Sequence, residues 1–249
     1  MSDKDPSEPR RVQYPRAPIT ESIINVQFAD PVSPELLEKL KAQLSKEYPF
    51  VEGWSELAVS FDLATKDTRT DETSKGVRFK SLDNLDVLIA ADKQIAVSRL
   101  APYTGWDTFF ARARRDWEIF KKLAGYRRIS QVGVRYINRI DIPQTGAALN
   151  VDEYLLIGPN VPQPPFPPMQ NTTMQIRCPT PKGEIICNSA RVDSPVVNHH
   201  SFVLDIDVIR RIDIPQKDDE LWAYITEVRD QKNMLFEACV TDKARALFR

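Results

Sequence analysis

The chain has 249 residues, of which 42% are hydrophobic and 28% are charged, and its formal net charge is -1. These values are typical of a globular protein with a sizeable core. A nearly neutral chain is not attracted as a whole to nucleic acid or anionic lipid, so either partner would need a local charged patch. The apolar runs are too short to span a membrane, and the polar N-terminus excludes a secretory signal, so we expect a cytoplasmic protein.

Three cysteines, Cys178, Cys187 and Cys239, show neither CxxC spacing nor the spacing of zinc ligands. An odd number of unpatterned cysteines is typical of reduced, mostly buried thiols in a cytosolic protein. The alternative is a disulfide between Cys178 and Cys187, which could face each other across a hairpin.

The N-terminal part of the chain is predicted to combine short strands with one helix. Residues 1–16 are charged and interrupted by proline, which indicates a flexible arm. Ser33 and Pro34 predict a helix start, because serine caps a helix and proline fits its first position. An exposed polar loop is expected at 65–75. The predicted strands are 19–28, 54–63, 77–79, 86–90 and 94–100, and their short connections require antiparallel pairing.

A long amphipathic helix is expected between Thr104 and Gly125. Thr104 and Asp107 have the spacing of a capping box, and Gly125 can end the helix. An aromatic stripe at helical spacing is interpreted as core rather than as a cofactor site. The stripe consists of Trp106, Phe109, Phe110, Ala113, Trp117 and Phe120.

A basic cluster accompanies this helix and raises the question of nucleic-acid binding. Its members are Arg112, Arg114, Arg115, Lys121, Lys122, Arg127 and Arg128. Asp116 and Glu118 interrupt it, and cations near a helix C-terminus already interact favourably with the helix dipole. Nucleic acid is therefore not the favoured partner.

The second half begins with a predicted strand at 132–143 and a short helix at 151–156. Proline-rich residues 159–169 predict an extended connector, which is the best candidate domain boundary. A hairpin is expected from 174–178 and 184–191, followed by a strand over 202–214. A long helix is expected to follow from Asp218 or Asp219, with an apolar face of Leu221, Ile225, Val228, Leu235 and Phe236.

The letters R-I-D-I-P-Q occur twice, at 139–144 and at 211–216. We favour internal duplication over chance, because both copies are predicted to end a strand and lead into a helix. The predicted fold class is therefore α+β, with antiparallel sheets and long amphipathic helices. Two pseudo-repeated halves, 17–158 and 170–249, are expected to pack as one unit.

Charged residues in the two repeated strands predict a binding site at the seam between these halves. Asp205 and Asp207 lie on one strand face by the period of two, so one carboxyl of the pair should have a raised pKa. Facing arginines would explain the same pair equally well as structural ion pairs. The candidate residues are Glu21, Arg135, Asn138, Arg139, Asp205, Asp207 and Arg211.

No catalytic residue, metal site or cofactor is predicted. The neighbouring His199 and His200 point to opposite sides of an extended segment and cannot readily share one metal. The sequence contains neither a G-x-S-x-G motif nor a glycine-rich phosphate loop, so nucleophilic and nucleotide chemistry lack their usual signatures.

Four motifs in order along the chain carry a family resemblance. They are Y-P-x-x-P-I-x-E from Tyr14, Gly105 and Trp106 with Phe109 and Trp117, V-R-Y-I-N-R from Val134, and F-E-x-x-x-T-D from Phe236. The chain resembles a sporadically distributed prokaryotic family of uncharacterised proteins of about this length. It departs from that family at Ser22, where alanine is usual. The resemblance implies no particular activity, but its patchy distribution implies an accessory role, such as one in a defence or toxin-linked system.

These observations lead us to expect a non-enzymatic protein that binds a protein partner or a small charged ligand and does not bind membranes. The alternative is an enzyme that acts on a small charged or phosphorylated molecule in the seam. Such an enzyme would use Glu21, Arg135, Asn138, Arg139 and the carboxylate pair.

Overall fold

A computed structural model describes residues 13–61, 68–146, 149–158 and 172–249, with the backbone alone at 56–61 and 68–75. The α+β class is confirmed, because the chain forms a large antiparallel sheet together with helices. The strands are β1 (Ile19–Phe28), β2 (Phe50–Phe61), β3 (Thr68–Lys80), β4 (Asp86–Ala91), β5 (Gln94–Leu100), β6 (Ile129–Pro143), β7 (Thr173–Thr180), β8 (Gly183–Val192) and β9 (His199–Arg210). The helices are α1 (Pro34–Leu44), α2 (Trp106–Ala124), α3 (Asp218–Cys239) and α4 (Asp242–Ala246), with a 3-10 turn at Val151–Glu153.

The strands of the described residues are hydrogen-bonded in the order β2-β3-β4-β5-β1-β6-β9-β8-β7. The chain divides into two compact units. Unit 1 contains the described residues of 1–23, 101–103 and 132–249, and unit 2 contains those of 24–100 and 104–131. Within the described ranges, the helices are too short or too polar to cross a membrane.

Unit 2 is an antiparallel run of strands with two helices. β2, β3, β4 and β5 pair in sequence order. The predicted start of α1 is confirmed, since the Ser33 hydroxyl accepts a hydrogen bond from the amide of Leu36. Four of the six residues of the predicted stripe are buried, and Trp117 and Phe120 stack on Phe28 with ring centroids 6.0 and 5.2 Å apart. Trp106 and Phe110 are half-buried.

Two predictions about unit 2 are wrong. The predicted capping box does not form, because α2 is capped by Gly105 at a φ of 104° and no side chain bonds its first amides. Thr104 therefore lies one residue before the cap. The polar segment 65–75 is mostly strand rather than loop, since β3 begins at Thr68 and pairs with β2. Backbone pairing with a neighbouring strand here overrides polar composition.

Unit 1 contains an antiparallel arrangement of β6, β9, β8 and β7, with the predicted β7–β8 hairpin confirmed. The even-numbered residues from 132 to 142 in β6 and from 202 to 210 in β9, such as Val134 and Leu204, are buried. Helix α3 packs against β9, and its buried residues include Leu221, Ile225 and Phe236. The face of even-numbered residues is therefore the core of unit 1, which we call the covered face.

The two copies of R-I-D-I-P-Q have different conformations, so the structure does not support the predicted pseudo-repeat. The first copy continues β6, whereas β9 ends at Arg210, before the second copy. Arg210 pairs with Val132 on one side and with Gly183 on the other, and both pairings stop there. Residues 211–216 pair with neither neighbouring strand, and Asp213 adopts a φ of 56°. The strand predicted over 202–214 is therefore too long.

The predicted domain boundaries also differ from the units. Residues 132–158 belong with 172–249, because β6 pairs with β9. The proline-rich connector 159–169 and most of the predicted arm 1–16 lie outside the described residues. The described end of that arm is held in place, since the Tyr14 hydroxyl donates to the Glu237 carboxylate at 2.9 Å.

Candidate functional site

The odd-numbered residues of β6 and β9 form the second face of unit 1, opposite the covered face. We call it the charged face and define it by Arg135, Arg139, Asp205 and Asp207, with Asn188 from β8 and Gln175 from β7. Side chains alternate between the two faces along a strand, so the charges emerge opposite the apolar core residues. The side chain of Arg135 is 41% exposed, whereas Asp205 is 4% exposed, so this face is open to solvent at Arg135 and closed at Asp205.

Asp205 is fully supplied with hydrogen-bond donors. Arg135 reaches its two oxygens through Nε at 2.8 Å and Nη2 at 2.7 Å. Asn188 donates a third bond at 2.8 Å and itself accepts one from Gln175 at 2.8 Å. Such a bidentate, charge-assisted pair stabilises the ionised carboxylate although Asp205 is only 4% exposed.

Asp207 lies directly opposite Arg135 in the strand register, yet its environment differs. Its Oδ1 is buried, and no described residue donates a hydrogen bond to this oxygen. Burial raises the pKa of Asp207 from its ordinary 3.8 to about 6, although the charge of Arg135 acts in the opposite direction and that of Asp205 adds to the rise. A carboxyl of this kind would gain from a cationic hydrogen-bond donor.

Three other predicted site residues have partners on or beside the charged face. The Glu21 carboxylate interacts electrostatically with Arg135. Arg139 pairs with Asp141 at 3.0 Å, and Asp141 also accepts a bond from Ser201. Arg211 lies just beyond β9 and pairs with Glu184 at 2.7 Å.

Asn138 does not belong with the other predicted residues. It lies on the covered face, where it is buried, and its amide nitrogen donates to the backbone oxygen of Leu204 at 2.9 Å. This bond satisfies a polar group inside the core, so its role is structural.

A buried lysine on α3 is the main functional candidate that the sequence analysis missed. Lys232 is 3% exposed, and its Nζ lies 3.6 Å from the centroid of the Tyr136 ring. The Tyr136 hydroxyl is 2.9 Å from the Tyr103 hydroxyl, and Arg229 lies beside it. Burial, and secondly the charge of Arg229, lowers the pKa of Lys232 from 10.5 to about 7. The signal in the sequence is a lysine in register with Leu221, Ile225, Val228 and Phe236 on the apolar stripe of α3.

Unit 2 has a buried carboxylate of its own. Asp116 of α2 is fully buried and accepts hydrogen bonds from Tyr48 and, at 2.9 and 2.6 Å, from Arg115. Arg112 is the third partner, at 3.8 Å. Burial raises the pKa of Asp116, and Tyr48 and the two arginines oppose that rise. Two arginines of the predicted basic cluster are therefore engaged in structural contacts.

The histidines and cysteines do not assemble a metal site within the described residues, where no cluster of three suitable ligands occurs. His199 and His200 lie at the start of β9, where His200 contacts Arg191 at 3.0 Å. The cysteines are free thiols, and Cys178 is exposed. Cys187 neighbours Cys239 rather than pairing with Cys178, and hydrogen bonding to Cys239 raises the pKa of Cys187.

Two cavities lie away from the carboxylate pair. A groove of about 560 Å³ in unit 2 runs beside α1 and is lined by residues such as Leu37, Lys41 and Glu52. A cavity of about 280 Å³ in unit 1 is lined in part by Arg16, Arg139 and Phe248. Neither is lined by Asp205 or Asp207.

Models of known protein families do not match the chain, and neither do the curated proteins. Among solved structures, a similar one is the crystal structure of DynU16, a protein in the dynemicin biosynthetic locus. It shares 12% sequence identity, and the alignment covers 86% of this chain and 97% of DynU16, with a TM-score of 0.18. A TM-score this low does not establish a common fold.

Proposed function

We propose that this chain is a cytoplasmic binding protein whose charged face holds a basic side chain of a protein partner. The observation that carries the proposal is the contrast between two neighbouring carboxylates. Asp205 has its donors, whereas Asp207 is partly buried with an oxygen that no described residue bonds. A lysine or arginine of the partner would give Asp207 the counter-charge that Arg135 gives Asp205.

The charges around Arg135 favour a cation over an anion. Three carboxylates, those of Glu21, Asp205 and Asp207, act on this single guanidinium. The second arginine of the face, Arg139, already pairs with Asp141. Two guanidinium groups are then outnumbered by four carboxylates when Asp207 is ionised, and complementary charge selects a basic partner.

The shape of the face favours a macromolecule. Small-molecule sites are concave and enclose most of their ligand. The side chains of Arg135 and Gln175 are instead exposed, and of the residues that define the charged face Arg139 alone lines one of the two cavities described above. An open polar surface suits the rim of a protein interface better than an enclosed ligand site.

The free thiols support a reducing compartment, where cysteines stay unpaired. The family resemblance supports an accessory role in a defence or toxin-linked system as part of the same proposal. The identity of the adjacent genes tests that part, since a toxin or nuclease gene next to this one would supply the expected class of partner.

Titration with short peptides tests the charge preference directly. We suggest blocked Gly-Arg-Gly, Gly-Lys-Gly and Gly-Glu-Gly, each added to isotopically labelled protein and followed by NMR. The arginine and lysine peptides should shift residues of β6 and β9, with dissociation constants on the order of millimolar, because a single exposed ion pair is weak. Binding should weaken as the pH falls from 7.5 to 5, since protonation removes the charge of Asp207.

Matched variants locate the binding. Asp207→Asn should weaken the arginine peptide at least about fivefold, by removing the charge that receives the cation. Asp83→Asn is the control, because Asp83 is an exposed carboxylate that accepts a hydrogen bond from Ser81. This variant should leave binding unchanged. Equal binding of the glutamate peptide, or no effect of Asp207→Asn, would contradict the proposal. Affinity capture of the natural partner should then show the same dependence on Asp207.

An enzyme is the second candidate, and one observation favours it. Asp205 and Asp207 form a carboxyl pair with different environments, and burial raises the pKa of Asp207 to about 6. Such a split suits one general acid and one ionised partner. A hydrolase and nucleotide-turnover screen on small charged or phosphorylated compounds tests this candidate, and an activity that Asp207→Asn abolishes would favour it over a binding role.

A further inference from the structure

Two of the three cysteines meet on the covered face of unit 1. Cys187 of β8 lies opposite Ile206 of β9, and both side chains are buried on that face. Cys239 is the last residue of α3, the helix that packs against β9. We call Cys187 and Cys239 the thiol pair. The binding role proposed above uses neither residue.

The backbone holds both cysteines of the thiol pair in place. Cys187 lies in the middle of β8, where it pairs with Ile176 of β7 on one side and with Ile206 on the other. The carbonyl oxygen of Cys239 accepts a hydrogen bond from the Leu156 amide at 2.8 Å. The two thiols are hydrogen-bonded to each other. Thiols in such contact can join in a disulfide after a small movement of their side chains.

The thiol pair combines a reactive cysteine with a protected one. The hydrogen bond from the Cys187 thiol lowers the pKa of Cys239 below its ordinary value of 9.0. The same bond, and secondly burial, raises the pKa of Cys187. Cys239 is half-buried, whereas Cys187 is buried. The sulfur with more thiolate character is therefore also the more exposed one of the pair, and these two properties together make a cysteine susceptible to oxidation.

Cys178 is near the thiol pair but is placed differently. It lies on β7 opposite Ile185, two positions along the ladder from the residue that faces Cys187. Diagonal neighbours of this kind are about 7 to 8 Å apart, which is too far for a disulfide without movement of the backbone. The disulfide between Cys178 and Cys187 that the hairpin suggested is therefore not favoured. Cys178 is exposed, so it serves as an internal control for reactivity.

We propose that the thiol pair is a redox site that reduces a hydroperoxide and closes to a disulfide between β8 and the end of α3. The Cys239 thiolate attacks the peroxide and forms an S–O bond, while the O–O bond breaks and the leaving oxygen takes up a proton. The Cys187 sulfur then displaces hydroxide from the Cys239 sulfenic acid, and the hydroxide leaves as water with the Cys187 proton. The two thiols lose two electrons, which the peroxide gains. A cellular dithiol returns the disulfide to two thiols.

Peptide mapping of the full, reduced chain tests this redox site. The protein is treated with one equivalent of hydrogen peroxide for increasing times, and free thiols are then blocked with iodoacetamide. Mass spectrometry of a non-reducing tryptic digest identifies the products, because trypsin places each cysteine on its own peptide, at 178–182, 183–191 and 233–243. The first product should be 183–191 joined to 233–243, while Cys178 remains alkylated. Dithiothreitol should restore both free peptides.

The rates of oxidation separate a built site from ordinary thiol chemistry. In native protein, Cys239 should lose its free thiol at least about fivefold faster than Cys178, because its thiolate is stabilised by Cys187. In denaturant the two cysteines should react at similar rates, since the hydrogen bond to Cys187 is then lost.

Matched variants identify the role of each thiol. Cys187→Ala keeps a small apolar side chain at this buried position, and its oxidised Cys239 should persist as a sulfenic acid that dimedone labels. Cys178→Ala is the control and should form the disulfide at the rate of the unchanged protein. Three results would overturn the proposal. They are a first product that contains Cys178, equal rates at Cys178 and Cys239 in native protein, and dimedone labelling of Cys187→Ala at Cys178 alone.

Discussion

Each unit has a buried carboxylate beside arginines, and the two differ in how fully they are bonded. Asp116 in unit 2 is fully buried and receives Tyr48 and Arg115, with Arg112 nearby. Asp207 in unit 1 is partly buried beside Arg135 but has an oxygen without a described donor. Burial raises the pKa of both carboxyls, but only Asp116 is surrounded by groups that bond it. A completed cluster of this kind serves stability, whereas an incomplete one lowers stability, and the proposed binding role rests on this contrast.

The largest expected effect is the loss of the completed cluster. Asp116→Ala should reduce the free energy of unfolding by about 3 to 5 kcal/mol, because it leaves Arg112 and Arg115 without their buried partner. Glu118→Ala is the control, because Glu118 is exposed on the same helix. This variant should change the free energy of unfolding by less than about 0.5 kcal/mol. Denaturant unfolding of both variants measures the difference, and similar small losses would show that the cluster of unit 2 contributes little.

Removing the donor of the satisfied carboxylate in unit 1 should have a smaller effect. Arg135→Met leaves Asp205 with Asn188 as its donor, at an expected loss of about 1 to 3 kcal/mol. Arg177→Met is the control, since its side chain is 61% exposed and 3.9 Å from Glu184, and its loss should be near zero. An unchanged melting temperature in Arg135→Met would mean that Asp205 does not need its bidentate partner.

Removing the unsatisfied carboxylate of Asp207 should increase the free energy of unfolding, whereas the two changes above decrease it. The pKa of Asp207 is raised from 3.8 to about 6 in the folded state, so its stability contribution is fully present below pH 4 and is lost as the pH rises through 6. Asp207→Asn should therefore increase the free energy of unfolding by about 1 kcal/mol at pH 7.5 and give no increase at pH 4. Thermal unfolding at the two pH values tests this, and a destabilised variant at pH 7.5 would assign Asp207 a structural role.

Sequence patterns predicted the elements with strong periodicity. The 3.6-residue period identified Trp117 and Phe120 as core, and the period of two placed Arg135, Asp205 and Asp207 on one face. Asn138 and Val134 are both even-numbered, so the same period of two places Asn138 on the apolar face and not with the charged residues. Sequence patterns could not show which aspartate Arg135 bonds. Asp207 lies opposite Arg135 in the strand register, but the guanidinium bonds Asp205, because the partner depends on side-chain conformation.

The remaining errors have tertiary causes. The two copies of R-I-D-I-P-Q are identical in sequence, yet only the first continues a strand, since the neighbours of β9 stop pairing at Arg210. Lys232 shares the spacing of the apolar stripe, but a lysine in such a stripe is ordinarily interpreted as a surface residue. The Lys232 side chain is covered by Tyr136 of β6, a strand that is distant from α3 in sequence.

The most direct test of the binding role is the pKa of the Asp207 carboxyl, measured by carbon-detected NMR with and without the arginine peptide. We predict a value near 6 in the free protein, which falls when the peptide binds because a cation stabilises the ionised form. A value near 4 in the free protein, or one that the peptide leaves unchanged, would contradict the account.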